Sequence, residues 1–233
     1  LVRKLKDRDR LYALGEMATG MAHEIRNPLG AIKSAAQLLG PGDNDPESKS
    51  LVKVIVDETN RLGGVIEQFL DFARPYEGEL GPVEIPVLLD RLCMLIKTDE
   101  AAANLQVQTE TQPELPLAYG DPDQLHRVLL NLVRNANQAM MPSGGTLTIG
   151  AQLMREAVPG KLGATRHRIE VFVKDEGAGI SPEVQQNLFI PFFTTKRTGT
   201  GLGLAICQRI MQRHGSEVRV DSALGHGTTM SFR

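Results

Sequence analysis

Residues 11–39, LYALGEMATGMAHEIRNPLGAIKSAAQLL, decide the architecture of the first third of the chain. Leu11, Leu14, Ala18, Met21, Ile25, Leu29, Ile32, Ala36 and Leu39 recur at alternating spacings of three and four, a heptad seam on one long helix. Gly40-Pro41-Gly42 stops that helix. Asp43-Asn44-Asp45-Pro46 then supplies an N-cap and an early proline for a second helix. The second stripe runs through Leu51, Ile55, Leu62, Val65, Phe69 and Phe72 and closes at Arg74-Pro75. Two antiparallel helices cannot bury such seams alone, so the hairpin is expected to dimerise into a four-helix bundle; the alternative is a hairpin packed on the rest of its own chain. Gly63-Gly64 interrupts the second helix at about 1 kcal/mol per residue relative to alanine, and marks a candidate bend.

Outward from the hairpin the pattern changes. Residues 75–84, PYEGELGPVE, have linker composition. Beyond them a helix is expected at 87–97, a strand at 105–110 and a strongly apolar helix at 121–141. Strands follow at 146–153 and 168–174, with a basic, glycine-containing connection at 155–168. A long irregular stretch covers 176–203, then a helix at 203–214 and strands at 217–221 and 227–232. The reading is an α helical hairpin at 1–74, a linker at 75–84 and an α+β two-layer sandwich at 85–233, with helices on one face of a mixed sheet.

Bulk composition narrows the function classes. A formal net charge of −2 supplies no basic field for nucleic acid, and 4% aromatic residues with no Trp supply no base-stacking surface. Cys93 and Cys207 stand far apart and match no zinc spacing, which reads as two buried free thiols. No apolar stretch is long enough to cross a membrane. The chain begins at Leu1 in an apparent running helix and stops at Phe232-Arg233 in an apparent strand, so both ends look cut. A membrane connection is expected only through segments upstream, and the full-length protein is either anchored or soluble.

With Ala18 at position a and Met21 at d, His23 falls at f, on the solvent side of the seam. Alone it reads as a solvated surface histidine. Its neighbours, Glu24-Ile25-Arg26-Asn27-Pro28-Leu29, alter that balance. Pro28 removes an N–H, strips the Glu24 carbonyl of its helical partner and should kink the helix, at about 3 kcal/mol. A neutral imidazole, with an ordinary pKa of about 6.5, can attack phosphorus. A carboxylate that accepts one ring N–H sharpens the other nitrogen, and Glu24 is placed to do this. The segment Glu16–Leu29 resembles the H box of sensor histidine kinases, most closely those of the nitrogen-regulation type. The resemblance implies that His23 is the phosphoacceptor, Glu24 the base, and Asn27 an aid to dephosphorylation of a partner regulator.

The second half carries further groups, the last of them Gly225-His226-Gly227-Thr228. Asp121-Pro122-Asp123-Gln124 caps a helix bearing Asn131 and Asn135, an i,i+4 pair of amides suited to a magnesium ion that keeps most of its waters. Simple amide–amide bonding at a helix surface is the alternative. Asp175-Glu176-Gly177-Ala178-Gly179 puts a carboxylate at a strand end before two glycines, fit to accept an amino hydrogen from a base, or to make a plain turn. Phe189 to Lys196 and Gly199-Thr200-Gly201-Leu202-Gly203 precede a helix whose free amides can cradle phosphate. It is neither a Rossmann fingerprint nor a Walker A loop.

In that order the groups resemble the N, G1, F, G2 and last glycine boxes of the histidine kinase ATP-binding domain, of the GHKL (Bergerat) type. Asn131 and Asn135 stand in the N box; Asp175, Gly177 and Gly179 in G1; Phe189 and Phe193 in the F box. Gly199, Gly201 and Gly203 stand in G2, and Gly225-His226-Gly227-Thr228 in the last. The resemblance implies ATP and Mg2+ as cofactors, with magnesium at Asn135 and adenine at Asp175. Lys196, Thr200, Gly201, Leu202, Gly203 and Thr228 complete the nucleotide set, and a mobile lid lies between G1 and G2. It implies a homodimer that autophosphorylates His23 and passes the phosphoryl group to the receiver domain of a cognate response regulator. It places this part of the protein in the cytoplasm. Glu176, where the family often has Asn, and Ser216, where a second glycine is common, are departures. An ATPase clamp of the wider superfamily and a non-enzymatic dimer scaffold are the rival readings. The His23-Glu24 pair argues against the first, and the intact Asn135, Asp175 and G2 glycines against the second.

Overall fold

The computed structural model describes residues 25–39, 46–73, 78–98, 104–157, 165–196 and 199–233. The chain divides into two compact units, residues 1–76 with 190–202, and residues 77–189 with 203–233.

In the first unit, helix α1 covers 25–38 among the described residues and α2 spans Pro46–Ala73. His23, Glu24, the seam from Leu11 to Met21 and the 40–45 connection lie outside the described residues, and so does the Glu24 carbonyl on which the expected kink depends. From residue 25 onward the helix runs on through Pro28. Pro28 and Ala35 are buried and Ile25, Ile32 and Leu39 half-buried, whereas Leu29 and Ala36 of the seam are exposed. On α2, Val65 is fully buried and Leu51, Ile55 and Leu62 half-buried; the side chains of Phe69 and Phe72 lie outside the described residues. Val52, Val56, Ile66 and Leu70 stay exposed. At 100° per residue these four fall in a narrow arc beside the buried stripe, a second apolar strip that stays exposed among the described residues. The helix is continuous through Gly63-Gly64, and a methyl group at either would meet nothing within 4 Å.

The second unit is built on a five-stranded sheet in the order β2-β4-β5-β7-β6. Its strands are β2 (Leu105–Thr111), β4 (Gly145–Ala157), β5 (Thr165–Asp175), β6 (Arg219–Ser222) and β7 (Thr228–Phe232). β2 and β4 are parallel and the other pairs antiparallel, so the sheet is mixed. Helices α3 (Ile85–Thr98) and α4 (Pro122–Met140) pack on it, with α6 (Gly203–Arg213) beside α4. Register lays the inner face out in rows: Ala151–Val171–Phe232, then Ile149–Val173–Met230, then Leu147–Asp175–Thr228. The period-two alternation that buries Val171 and Val173 therefore carries Asp175 into the same buried layer.

Three differences from the sequence reading have physical causes. The end of the expected linker forms β1 (Gly81–Val83), paired with β3 (Ala118–Gly120); strands of three residues are too short to show alternation. β4 and β5 extend into the basic connection, held by Glu156 against Arg166 at 2.9 Å, Arg168 at 3.5 Å and Arg233 at 2.8 Å. Cross-strand charge pairs leave no trace in hydrophobic periodicity. The irregular stretch contains a short helix, α5 (Pro182–Gln185), because Ser181 caps it and Pro182 sits in its first turn.

Cys93 and Cys207 are both free and buried. Burial pushes the Cys207 thiol up to about 12, which removes it from thiolate chemistry. No helix among the described residues is long and apolar enough to cross a membrane.

Candidate functional site

Asp121 caps α4, its Oδ1 accepting the backbone N–H of Asp123 at 2.9 Å and of Gln124 at 3.1 Å. The helix buries Leu125, Val128, Leu129, Leu132, Val133, Ala136 and Met140 along one stripe, which leaves Asn131 and Asn135 half-buried on its flank. Asn131 Nδ2 donates to the Arg127 carbonyl at 3.2 Å, so its oxygen is turned away from its own helix. A Cβ at Gly203, the first residue of α6, would stand 3.4 Å from that oxygen.

Asp175 ends β5 and is 5% exposed. Its Oδ1 accepts the N–H of Gly177 at 2.9 Å, closing the turn after the strand. The turn crosses the end of α4: Ala178 N–H donates to the Ala139 carbonyl at 3.3 Å, and a Cβ on Gly177 would lie 2.7 Å from that oxygen. Gly179 packs so closely on the Ala223 carbonyl that no Cβ fits. Thr228 is paired in register with Asp175 and is buried like it. This unit thus gathers Asp175, Gly177, Gly179 and Thr228 at one sheet end, and Asn131 beside Gly203.

The β6–β7 hairpin holds the 176–181 turn from the other side. Ser222 Oγ accepts from Ile180 N–H at 2.9 Å, donates to the Gly227 carbonyl at 2.8 Å and lies 2.9 Å from Thr228 Oγ1. Gln185 Nε2 donates to the carbonyls of Ile180 and Ser222, each at 2.8 Å. Ser222 and Gln185 are positioning residues that motif reading passed over, and Gly227 joins them in holding the turn. Gly227 alone carried a sequence signal, its place in the last glycine box beside Thr228.

Glu176 points out of this turn and accepts the Thr146 backbone N–H at 2.9 Å. That bond, joined by the Thr146 side chain, holds the carboxyl below its ordinary 4.5. A depressed folded-state carboxyl contributes stability above the unfolded pKa and loses it as pH falls through the folded one. Unfolding followed below pH 4.5 should therefore show a shallower acid slope for Glu176→Gln than for wild type; equal slopes would contradict the assignment.

Lys196, Thr200, Gly201 and Leu202 belong to the first unit. Lys196 N–H donates to Thr194 Oγ1 at 3.1 Å, and Leu202 is fully buried. Phe192 adopts φ 65°, costly for an aromatic residue, with its N–H on the Gly201 carbonyl at 3.1 Å. Asn27 is exposed on α1.

The donor chemistry fits magnesium held mainly by phosphate and water. Asn135 offers a neutral amide oxygen, and among the described residues no group of three or more His, Cys, Asp or Glu could cage a metal.

Residues 120–233 match the family of histidine kinase-, DNA gyrase B- and HSP90-like ATPases, and residues 13–78 match the His kinase A (phospho-acceptor) domain. The chain is 34% identical over 230 residues to the signal transduction histidine-protein kinase AtoS of Escherichia coli, covering 99% of this chain and 36% of that protein. It is 36% identical to the sensor histidine kinase ZraS of Klebsiella oxytoca, covering 97% and 46%. It is 35% identical to the sensory histidine kinase/phosphatase NtrB of Salmonella typhimurium, covering 92% and 60%. The chain thus spans between about a third and three fifths of these relatives. Among solved structures, histidine kinase ThkA in complex with response regulator protein TrrA superposes with a TM-score of 0.77 at 28% identity, covering 98% of this chain and 64% of that one.

Proposed function

The chain belongs to the sensor histidine kinases, and on that premise we propose that it phosphorylates its own His23 from ATP and passes the phosphoryl group to an aspartate of a response regulator. The observation that carries this reading is Asp175, buried at the end of β5 with its turn closed by Gly177, in a chain whose residues 13–78 match a phosphoacceptor domain.

Asp175 accepts the amino hydrogen of adenine, and Gly177 and Gly179 let the turn after it pack against the Ala139 and Ala223 carbonyls. Thr228 borders the same position through its register with Asp175. Asn131 and Gly203 flank the phosphates, with Lys196, Thr200, Gly201 and Leu202 contributing amides and charge. Asn135 holds magnesium, which when bound neutralises phosphate charge. His23 attacks through a neutral ring nitrogen: a P–N bond forms to the γ-phosphorus as its bond to the bridging oxygen breaks, and ADP leaves. Glu24 accepts the proton of the other ring nitrogen and steadies the charge that develops. Catalysis is chiefly positioning and charge neutralisation.

The exposed apolar strip of Val52, Val56, Ile66 and Leu70, with Leu29 exposed on α1, supports a homodimer joined as a four-helix bundle. The regulator's receiver domain is the proposed partner, in keeping with the regulator bound by ThkA. Asn27, exposed and four residues from His23, is assigned to orienting water during regulator dephosphorylation. The chain is proposed to work on the cytoplasmic side, whether or not the whole protein is membrane-anchored.

Radiolabelled ATP tests the central step. Wild type should acquire acid-labile, base-stable label and His23→Gln essentially none. Equal label on both would overturn the assignment.

A further inference from the structure

His214 follows α6 and ties it to the start of α4. The Asp121 backbone N–H donates to His214 Nε2 at 3.0 Å, and His214 Nδ1 lies 2.8 Å from the Ile210 carbonyl. An amide N–H can only donate and a carbonyl can only accept. Nε2 therefore carries the lone pair and Nδ1 the proton, so both ring nitrogens are used by one neutral tautomer. The Asp121 N–H precedes the helix that the residue caps, and Asp121 itself is 8% exposed. Losing the histidine would remove the acceptor that N–H uses.

Helices α4 and α6 run antiparallel and meet along their length. At one end His214 meets Asp121. In the middle the Cys207 Sγ–H reaches the Val128 carbonyl at 3.8 Å, a weak bond. At the other end Gly203 passes the Asn131 oxygen, and the Asn131 side chain also bonds the Cys207 thiol. Aliphatic packing between the helices resists separation but tolerates axial sliding. The His214 bond is a short directional contact at the start of α4, and it helps to fix the axial register that brings Gly203 against Asn131.

We propose that His214 is a positioning residue for the phosphate and magnesium end of the nucleotide site, setting α6 against α4 so that the Gly203 amide and the Asn131–Asn135 pair stand in register. This rests on the nucleotide reading above. Adenine recognition depends on Asp175 and Thr228, which belong to β5 and β7 and not to this helix pair. Loss of the tie should therefore weaken the triphosphate selectively, since displacements near 1 Å are strongly felt at a positioned site.

The test compares Mg-ATP and adenosine binding by titration to the full chain, in wild type, His214→Leu, His214→Gln and Gly120→Ala. Gln keeps an acceptor for the Asp121 N–H. Gly120→Ala keeps His214 but places a methyl 3.0 Å from its Cδ2 and 3.0 Å from Leu125 Cδ1, pressing on the ring without removing it, and serves if the Leu variant does not fold. His214→Leu should weaken Mg-ATP about tenfold and leave adenosine unchanged. His214→Gln should bind nearly as wild type, and Gly120→Ala should lose about threefold for Mg-ATP alone. Equal losses for both ligands, an unchanged Mg-ATP affinity in folded His214→Leu or in Gly120→Ala, or no rescue by Gln would overturn the proposal. A wild type that binds adenosine but gains nothing from the triphosphate would overturn the phosphate assignments themselves, and the inference with them.

Discussion

Asp175→Asn is expected to weaken ATP binding roughly 100-fold while leaving the fold intact. The asparagine oxygen can still accept the Gly177 N–H, so the turn after β5 keeps its closing bond. The second oxygen becomes an NH2 group. A donor then faces the adenine amino group, itself a donor, in a position only 5% exposed, where water cannot relieve the mismatch. Titration with ATP and autophosphorylation at limiting ATP should fall together, while the far-ultraviolet circular dichroism and melting temperature stay near those of wild type. Unchanged ATP affinity would remove Asp175 from the base site; a large fall in melting temperature would make its role structural.

Gly227→Ala should destabilise the second unit by about 3 kcal/mol or more. Gly227 has φ +78°, and a Cβ there would overlap the Asp175 carbonyl oxygen and lie 3.0 Å from Glu176 Cα. Both obstacles are backbone atoms, one at the end of β5 and one in the turn that follows it, so relief requires parting the start of β7 from the end of β5. Gly225 isolates the conformational share of this cost: its φ is +76°, but a Cβ would meet nothing within 4 Å. Gly225→Ala should then lose only about 1 kcal/mol. Thermal unfolding reads the contrast as a fall of roughly 10 °C against a few degrees. Similar falls in the two variants would show that strain, and not the close approach to Asp175, governs this hairpin.

Much of this protein is legible in the residue order because local chemistry writes it there. The spacing from Ile25 to Leu39 reads as a helix and α1 runs there, Asp121-Pro122 starts α4 where the cap forms, and the apolar stripe from Leu125 to Met140 is the face that is buried. Asn131, Asn135, Asp175 and the glycines were recognisable as a set because each depends on near neighbours in sequence: a helix face, a strand end, a tight turn. The β1–β3 pair was not legible, since three residues carry no period. Nor were the ends of β4 and β5, which charged partners hold together.

Helix periods, caps, turn glycines and the identity of the chemical groups were determined by the sequence alone, because each follows from residues within a few positions of one another. Tertiary structure alone decided that Thr228 stands opposite Asp175, that Ser222 and Gln185 pin the 176–181 turn, and that His214 reaches back 93 positions to the Asp121 amide. Those are bonds between surfaces that meet only once the sheet register and the α4–α6 packing exist. No local rule of spacing or propensity can encode them.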